Sequence, residues 1–291
     1  MKEVVSIYKK SVDTNLKDIS SMLKKLNMKD PAIFSACKKI LNLSADNVIN
    51  KWLSGRKYSR TVFVKQAFGK FYPKKYIEIS MSIDAMINIL DDLIDEEIDD
   101  NEKTLFILEF LRVYSLYNSK NIKAKIQTAI GHDFNKLISL AVAEKVYQKM
   151  IAKEKDIKKI IEYSIQIFGC RGTDINIFNE IALTDAKNNN VEKKIKEIGR
   201  IFRAINIFKK DVKDIDYDKK MGMKTIITLM CSRKDHNFLD YTERLLNRFL
   251  EKAERIKFSA KLLNIEYKTP IENYYKMIEK DKREIIKLLT N

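Results

Sequence analysis

Apolar residues recur at three- and four-residue intervals along almost the whole chain, the spacing that lines up side chains on one side of an α-helix. The pattern predicts helices over 2–27, 31–53, 73–98, 102–118, 120–152, 155–185, 191–215, 223–232, 234–260 and 268–289. Turn-forming residues gather between them, in "LSGRKYSR" at 53–60, "KFYPKK" at 70–75, "DAKNNN" at 185–190 and "KTPIEN" at 268–273. No internal repeat, sustained heptad seam or low-complexity linker interrupts the pattern. The expectation is one all-α domain spanning 1–291.

The predicted helix at 73–98 is unusual in the acidic run at its carboxy-terminal end. "NILDDLIDEEIDDNE" places eight carboxylates in its last twelve positions. At about 100° per residue, Asp84, Asn88, Asp91, Asp95 and Asp99 fall in one narrow stripe, with Asp92 beside it. Ile79, Ile83, Met86, Ile87, Leu90 and Ile94 occupy much of the remaining circumference, so neighbours are expected to bury the helix and turn the stripe toward an internal cavity. Carboxylates crowded in such a place protonate unless cations neutralise them, and hard divalent ions such as Mg²⁺ are their usual partners. Acid at a helix carboxy-terminus also opposes the helix dipole, so the aspartates at 91, 92 and 95 need another reason to be there. Glu96, Glu97, Asp99, Asp100 and Glu102 read as a solvated loop.

Composition narrows the setting. The formal charge is +16, yet the lysines are spread in pairs along solvated faces, which argues against a nucleic-acid surface and fits an anionic small molecule equally well. Seven glycines and three prolines suit long helices with short connections. Cys37, Cys170 and Cys231 show neither disulfide nor metal spacing, as expected of a reducing compartment. "MKEVVSIYKK" has no leader pattern and no apolar run approaches membrane-spanning length, so a cytoplasmic location is expected.

"YIEISMSIDAMINILDDLIDEE" resembles the first aspartate-rich segment of trans-isoprenyl diphosphate synthases, the superfamily that also holds the class I terpenoid synthases. The resemblance implies an isoprenoid-synthase-type helical bundle around a central cavity, usually a homodimer. Asp91, Asp92 and Asp95 would ligate Mg²⁺ (with Mn²⁺ as a substitute), bridging to an allylic diphosphate, and Glu78 matches the family's upstream glutamate. "SGRKYSR" resembles the family's Gly-Lys-Arg-x-Arg segment: Gly55, Arg56, Lys57 and Arg60 would bind the diphosphate of isopentenyl diphosphate, with one extra residue before the last arginine.

"FGCRGTDIN" at 168–176 interrupts the helical pattern with Gly169 and Gly172 around Arg171, and it resembles the kinked helix that carries a diphosphate-binding Lys-Thr, with Arg171 and Thr173 as candidates. Arg171-x-x-Asp174 also resembles the phosphate-sensing arginine and linker aspartate of class I terpene cyclases. "IGRIFRAINIFKKDVKDIDYDKKMGMKTIITLM" has the outline of the second metal segment. Asn206, Lys210 and Asp214 recur at i, i+4 and i+8 on one face with Arg203, opposite Ile201, Ile205, Phe208, Val212 and Ile215. The family's second DDxxD is absent, and the spacing is closer to the NSE motif of terpene cyclases. Asn206 and Asp214 are then metal candidates, with Lys210 pairing to diphosphate in a catalytic role. Lys224 and Thr225 resemble the substrate-binding Gly-Lys-x-Thr turn. The Arg-Arg-Gly that normally comes after DDxxD is missing, only Lys103 standing in "EEIDDNEKT", which moves weight toward a site holding one diphosphate.

The resemblance implies ionisation of an allylic diphosphate, stabilised by Mg²⁺ and basic side chains, in a pocket that keeps the allylic cation from water. Diphosphate serves as proton acceptor, so His132 and His236 have no catalytic part. Met86 and Ile87, before Asp91, are of medium size and not aromatic, which by analogy with the family permits a product longer than farnesyl, within a short-chain range of about C15–C20. Condensation of an allylic diphosphate with isopentenyl diphosphate to a short-chain product is the first expectation. A class I terpene synthase and a catalytically silent partner subunit are the alternatives.

Overall fold

Periodicity of this kind is realised as helix after helix in the computed structural model. It describes 59–95, 146–184, 188–222 and 225–290 continuously, with isolated positions elsewhere, and no strand occurs among the described residues. Two compact units share the chain, one of 1–63 with 73–123 and the other of 64–72 with 124–291.

In the first unit, helix α1 (Ser59–Phe68) contributes its opening residues 59–63, and α2 spans Ile77–Asp95. A 3-10 turn at Lys74–Tyr76 comes after Pro73, whose fixed backbone cannot continue a helix, and leads into α2. Residues 79–87 of α2 are buried on every side, as the apolar circumference predicts. The side chains from Ile89 to Asp95 lie outside the described residues, although the backbone stays helical through Asp95.

The second unit is built on α5 (Asn189–Lys213), which packs against α9 (Ile265–Thr290), α4 (Ile175–Ala182), α3 (Ile157–Arg171) and α8 (Phe238–Ser259). Two short helices, α6 (Ile215–Lys220) and α7 (Ile226–Ser232), lie between α5 and α8 in the chain. Asn188 starts α5 by accepting hydrogen bonds from the backbone N–H groups of Asn190 and Val191 at 3.1 and 3.2 Å. Aromatic side chains fill the centre: Phe168 meets Phe208 edge-on at 5.1 Å, and Phe202 lies 5.6 Å from Tyr274. The buried phenols are satisfied, Tyr241 donating to Ser164 Oγ at 2.8 Å and Tyr274 to Asn179 Oδ1 at 2.9 Å.

Two expectations need correction. The stretch 59–68 is helical, although no helix is expected there; Val64, Ala67 and Phe68 are its buried face, and the β-branched Thr61, Val62 and Val64 mask the propensity. The break expected at 268–273 does not occur, because α9 runs straight through Pro270. Proline there, early in the helix, removes only the hydrogen bond to the carbonyl of exposed Glu266, and Thr269 Oγ1 donates to the Ile265 carbonyl at 2.7 Å.

Candidate functional site

The carboxylate stripe of α2 begins as a buried ion pair. Arg60, predicted to bind diphosphate, is 5 % exposed and donates through Nη1 to Asp84 Oδ1 and Asn88 Oδ1, both at 3.0 Å. The backbone N–H of Thr61 donates to Asp84 Oδ2 at 2.9 Å, so the carboxylate receives a bond at each oxygen. Such a pair offsets the cost of burying two charges only through this kind of complete hydrogen bonding. Asp91 and Asp95 continue the register of Asp84 and Asn88 along the helical backbone, with Asp92 adjacent. Glu78 stands in the first turn of the same helix. Arg56 and Lys57 lie outside the described residues.

The other candidates fall in the second unit, where the glycine break is real. A 3-10 turn at Gly172–Asp174 separates α3 from α4 and presses directly on α5. A Cβ on Gly172 would stand 2.6 Å from the Arg200 carbonyl oxygen and 2.9 Å from the Ala204 nitrogen, so only glycine allows this approach. Flanking that contact, Arg171 forms a forked pair with Asp211, its Nη2 donating to Oδ1 at 3.2 Å, and its guanidinium lies 5.7 Å from the Phe168 ring centroid. Asp174 receives Arg203 through Nε at 3.2 Å and Nη2 at 3.1 Å. Thr173 is buried and donates to the Gly169 carbonyl at 3.0 Å.

From Arg203 the polar contacts continue along α5 to α9. Arg203 Nη1 donates to Asn206 Oδ1 at 3.2 Å, and Asn206 Nδ2 donates to Asp281 Oδ2 at 3.0 Å. Lys209 completes the series by pairing with Asp281 and with Glu284, the latter at 3.0 Å. Burial acts to lower the Lys209 pKa, but the hydrogen bonds to Asp281 and Glu284 outweigh it and the ammonium is held above its ordinary 10.5. Sequence reasoning missed Lys209, Asp281 and Glu284 because their partners lie on different helices.

The predicted Asn206–Lys210–Asp214 face is therefore divided. Asn206 is half-buried and bonded, Lys210 is exposed, and Asp214 caps the end of α5, its N–H donating to the Lys210 carbonyl at 3.0 Å. Beside this end stand Asp211 and Asp218, both buried and neither foreseen, although 211, 214 and 218 recur at i, i+3 and i+7. Burial, then the charges of Asp211 and Asp214, hold the Asp218 carboxyl above its ordinary 3.8 against the opposing pull of Lys210 and Arg171. Among the described residues no three His, Cys, Asp or Glu side chains are grouped so as to hold a metal ion. The acceptor oxygen of Asn206 already receives Arg203, so a metal ion there would meet a guanidinium of like charge beside it. Oxygen-only donors on α2 match a hard cation; the α5 face does not match one as it stands.

Thr225 is the N-cap of α7, its Oγ1 accepting from the Thr228 N–H at 3.2 Å, while Lys224 lies outside the described residues. His236 sits on a surface turn with Nε2 3.1 Å from the Lys155 carbonyl oxygen. His132 lies outside the described residues.

No protein-family model matches the chain, and no curated protein matches it. Among solved structures, a geranylgeranyl pyrophosphate synthetase from the archaeon Geoglobus acetivorans is similar, with a TM-score of 0.53 over 96 % of this chain and 99 % of that one. The chain has the all-α isoprenoid-synthase fold. At 14 % identity the isoprenoid-synthase likeness carries the architecture and leaves the reaction to the side chains. No helix among the described residues of this isoprenoid-synthase fold is long and apolar enough to cross a membrane.

Proposed function

We propose that the protein is a Mg²⁺-dependent prenyltransferase that condenses an allylic diphosphate with isopentenyl diphosphate to a short-chain isoprenyl diphosphate. One conjunction supports this reading: on an isoprenoid-synthase fold, D-D-x-x-D ends a helix whose residues 79–87 are buried on all sides, in backbone register with the Asp84–Asn88 stripe. Asp91, Asp92 and Asp95 would hold the metal, which supplies Lewis-acid stabilisation of the departing diphosphate. The chain's own cations, Arg56, Lys57, Arg171, Arg203, Lys210 and Lys224, with the hydroxyls of Thr173 and Thr225, orient the diphosphates and spread their charge. Arg60 acts in this reading by fixing Asp84 and Asn88, and so the register of the stripe. Asn206 and Asp214 would offer further oxygen donors to a metal ion in this reading, with Arg203 pairing to a diphosphate oxygen instead of Asn206. Met86 and Ile87, of medium size just before the aspartates, fit a product beyond farnesyl in the same reading. A homodimer in the cytoplasm, each chain one domain over 1–291, belongs to the same reading.

The missing Arg-Arg-Gly favours a second reading, a class I terpene synthase holding one diphosphate, and the Asn206 oxygen already bonded to Arg203 favours a silent partner subunit that keeps the fold. Incubation with Mg²⁺, labelled allylic diphosphates and isopentenyl diphosphate separates them. Longer diphosphates whose formation disappears in Asp91→Ala and Asp95→Ala support the first reading. Hydrocarbons or alcohols from an allylic diphosphate alone indicate the cyclase. A silent subunit consumes nothing with any divalent metal, and its melting in Mg²⁺ plus diphosphate is the same with and without those two substitutions.

A further inference from the structure

The turn between α8 and α9 carries apolar side chains where a solvated turn needs none. Phe258 at the end of α8 is 69 % exposed, Leu262 in the turn 99 % and Ile265 at the start of α9 63 %. Scattered exposed apolar residues are ordinary, but three at a single turn are a surface feature. The turn is ordered by its own backbone. Ala260 is buried and its N–H donates to the Lys257 carbonyl at 3.1 Å; Lys261 N donates to the Phe258 carbonyl at 3.3 Å and Leu263 N to the Ala260 carbonyl at 3.1 Å.

Cations surround these side chains. Lys261 Nζ stands 4.3 Å from the Phe258 ring centroid and Lys257 Nζ 3.8 Å from that of Tyr275. Lys194, from the start of α5, donates to the Ser259 carbonyl at 3.3 Å, and Arg255 is exposed one turn before Phe258. Of the nearby acids, Glu254 accepts from the Tyr275 hydroxyl at 3.1 Å and Glu266 is exposed. The result is a projecting apolar tip in a ring of long basic side chains, a form that sinks rings and methyl groups among lipid acyl chains while ammonium groups reach headgroup phosphates. A second copy of the chain would bring the same cations, and a formal charge of +16, to the contact, so charge opposes self-association there.

We propose that the α8–α9 turn is a docking surface for an anionic membrane, with Phe258, Leu262 and Ile265 entering the interface and Lys194, Arg255, Lys257 and Lys261 holding the headgroups. This surface is independent of the proposed reaction.

Flotation of the full-length protein with vesicles tests it. The expected result is co-flotation with equimolar phosphatidylglycerol and phosphatidylcholine, weakened by salt, and none with phosphatidylcholine alone. Phe258→Ser/Leu262→Ser/Ile265→Ser keeps every charge, melts with the parent, and loses roughly tenfold or more in vesicle partition. Leu262→Glu alone, at an almost fully exposed side chain, shifts partition in the same direction. Undiminished flotation of the triple variant overturns the proposal, because whole-surface charge then explains the binding. Absence of parental binding to the anionic vesicles overturns it too, as does a parental dimer that the triple variant abolishes while vesicle binding is unaffected.

Discussion

Replacing Gly172 by alanine tests the contact that brings the 3-10 turn against α5. The glycine backbone has an ordinary φ of −73°, so alanine meets no torsional penalty; the obstacle is steric. The added Cβ falls 2.6 Å from the Arg200 oxygen, where ordinary contact begins at 3.4 Å, and the opposing atom is backbone that cannot swing away. The helix or the turn must retreat by roughly 0.8 Å, which stretches the Asp174–Arg203 pair on the same contact. Overpacking of this kind costs about 1–3 kcal/mol, with a further loss from the disturbed pair. The unfolded chain gives back about 0.4–1 kcal/mol through its lower entropy with alanine. The net is about 2 kcal/mol of destabilisation, or a melting point lower by about 4–8 °C in a domain of this size. Thermal unfolding followed by circular dichroism at the helical band measures it. Gly222→Ala is the control: φ is +68° with nothing within 4 Å, so backbone strain alone remains, about 1 kcal/mol. The steric account fails if Gly172→Ala melts within about a degree of the parent, or falls less than Gly222→Ala does.

Two further outcomes concern the network on α9. Asp281→Ala strips Asn206 and Lys209 of a buried acceptor; with Glu284 still 3.0 Å from Lys209, the cost is about 2–3 kcal/mol in urea denaturation, and Asp281→Asn costs less. An unchanged midpoint in Asp281→Ala would show the network to be energetically idle. Glu284 is held below its ordinary 4.5, mainly by the hydrogen bond from Lys209, so its stabilisation is present above that value and is lost as pH falls through the lower folded value. Glu284→Gln therefore melts below the parent at pH 7, by under about 1 kcal/mol for this partly exposed pair, and the difference closes in acid; a gap that persists or widens there contradicts the assignment.

How far the chain can be read without coordinates depends on where each partner stands. The helices were legible because burial on one side writes its period into the sequence, and the α3–α4 break was legible because Gly169 and Gly172 bracket Arg171. The purpose of Gly172 was not, since the atoms it admits belong to Arg200 and Ala204. Helix α1 was obscured by a β-branched start, and the continuity of α9 by a proline whose position near the helix start makes it harmless. Charge was legible only as charge. Arg60 has the right chemistry for a phosphate, yet it meets Asp84, 24 positions away. A face drawn on α5 alone likewise could not foresee Asp174 or Asp281, at separations of 29 and 75 residues.

The position of Asp281 and Glu284 on α9 has a consequence for biosynthesis. This helix leaves the ribosome after every other described one, so Asn206 and Lys209 are made long before the acids that receive them. Until then, water must solvate a seam whose final surroundings are largely apolar, and a nascent chain stopped short of α9 retains an open, protease-accessible flank along α5. Synthesis of α9 and closure of that seam are thereby coupled.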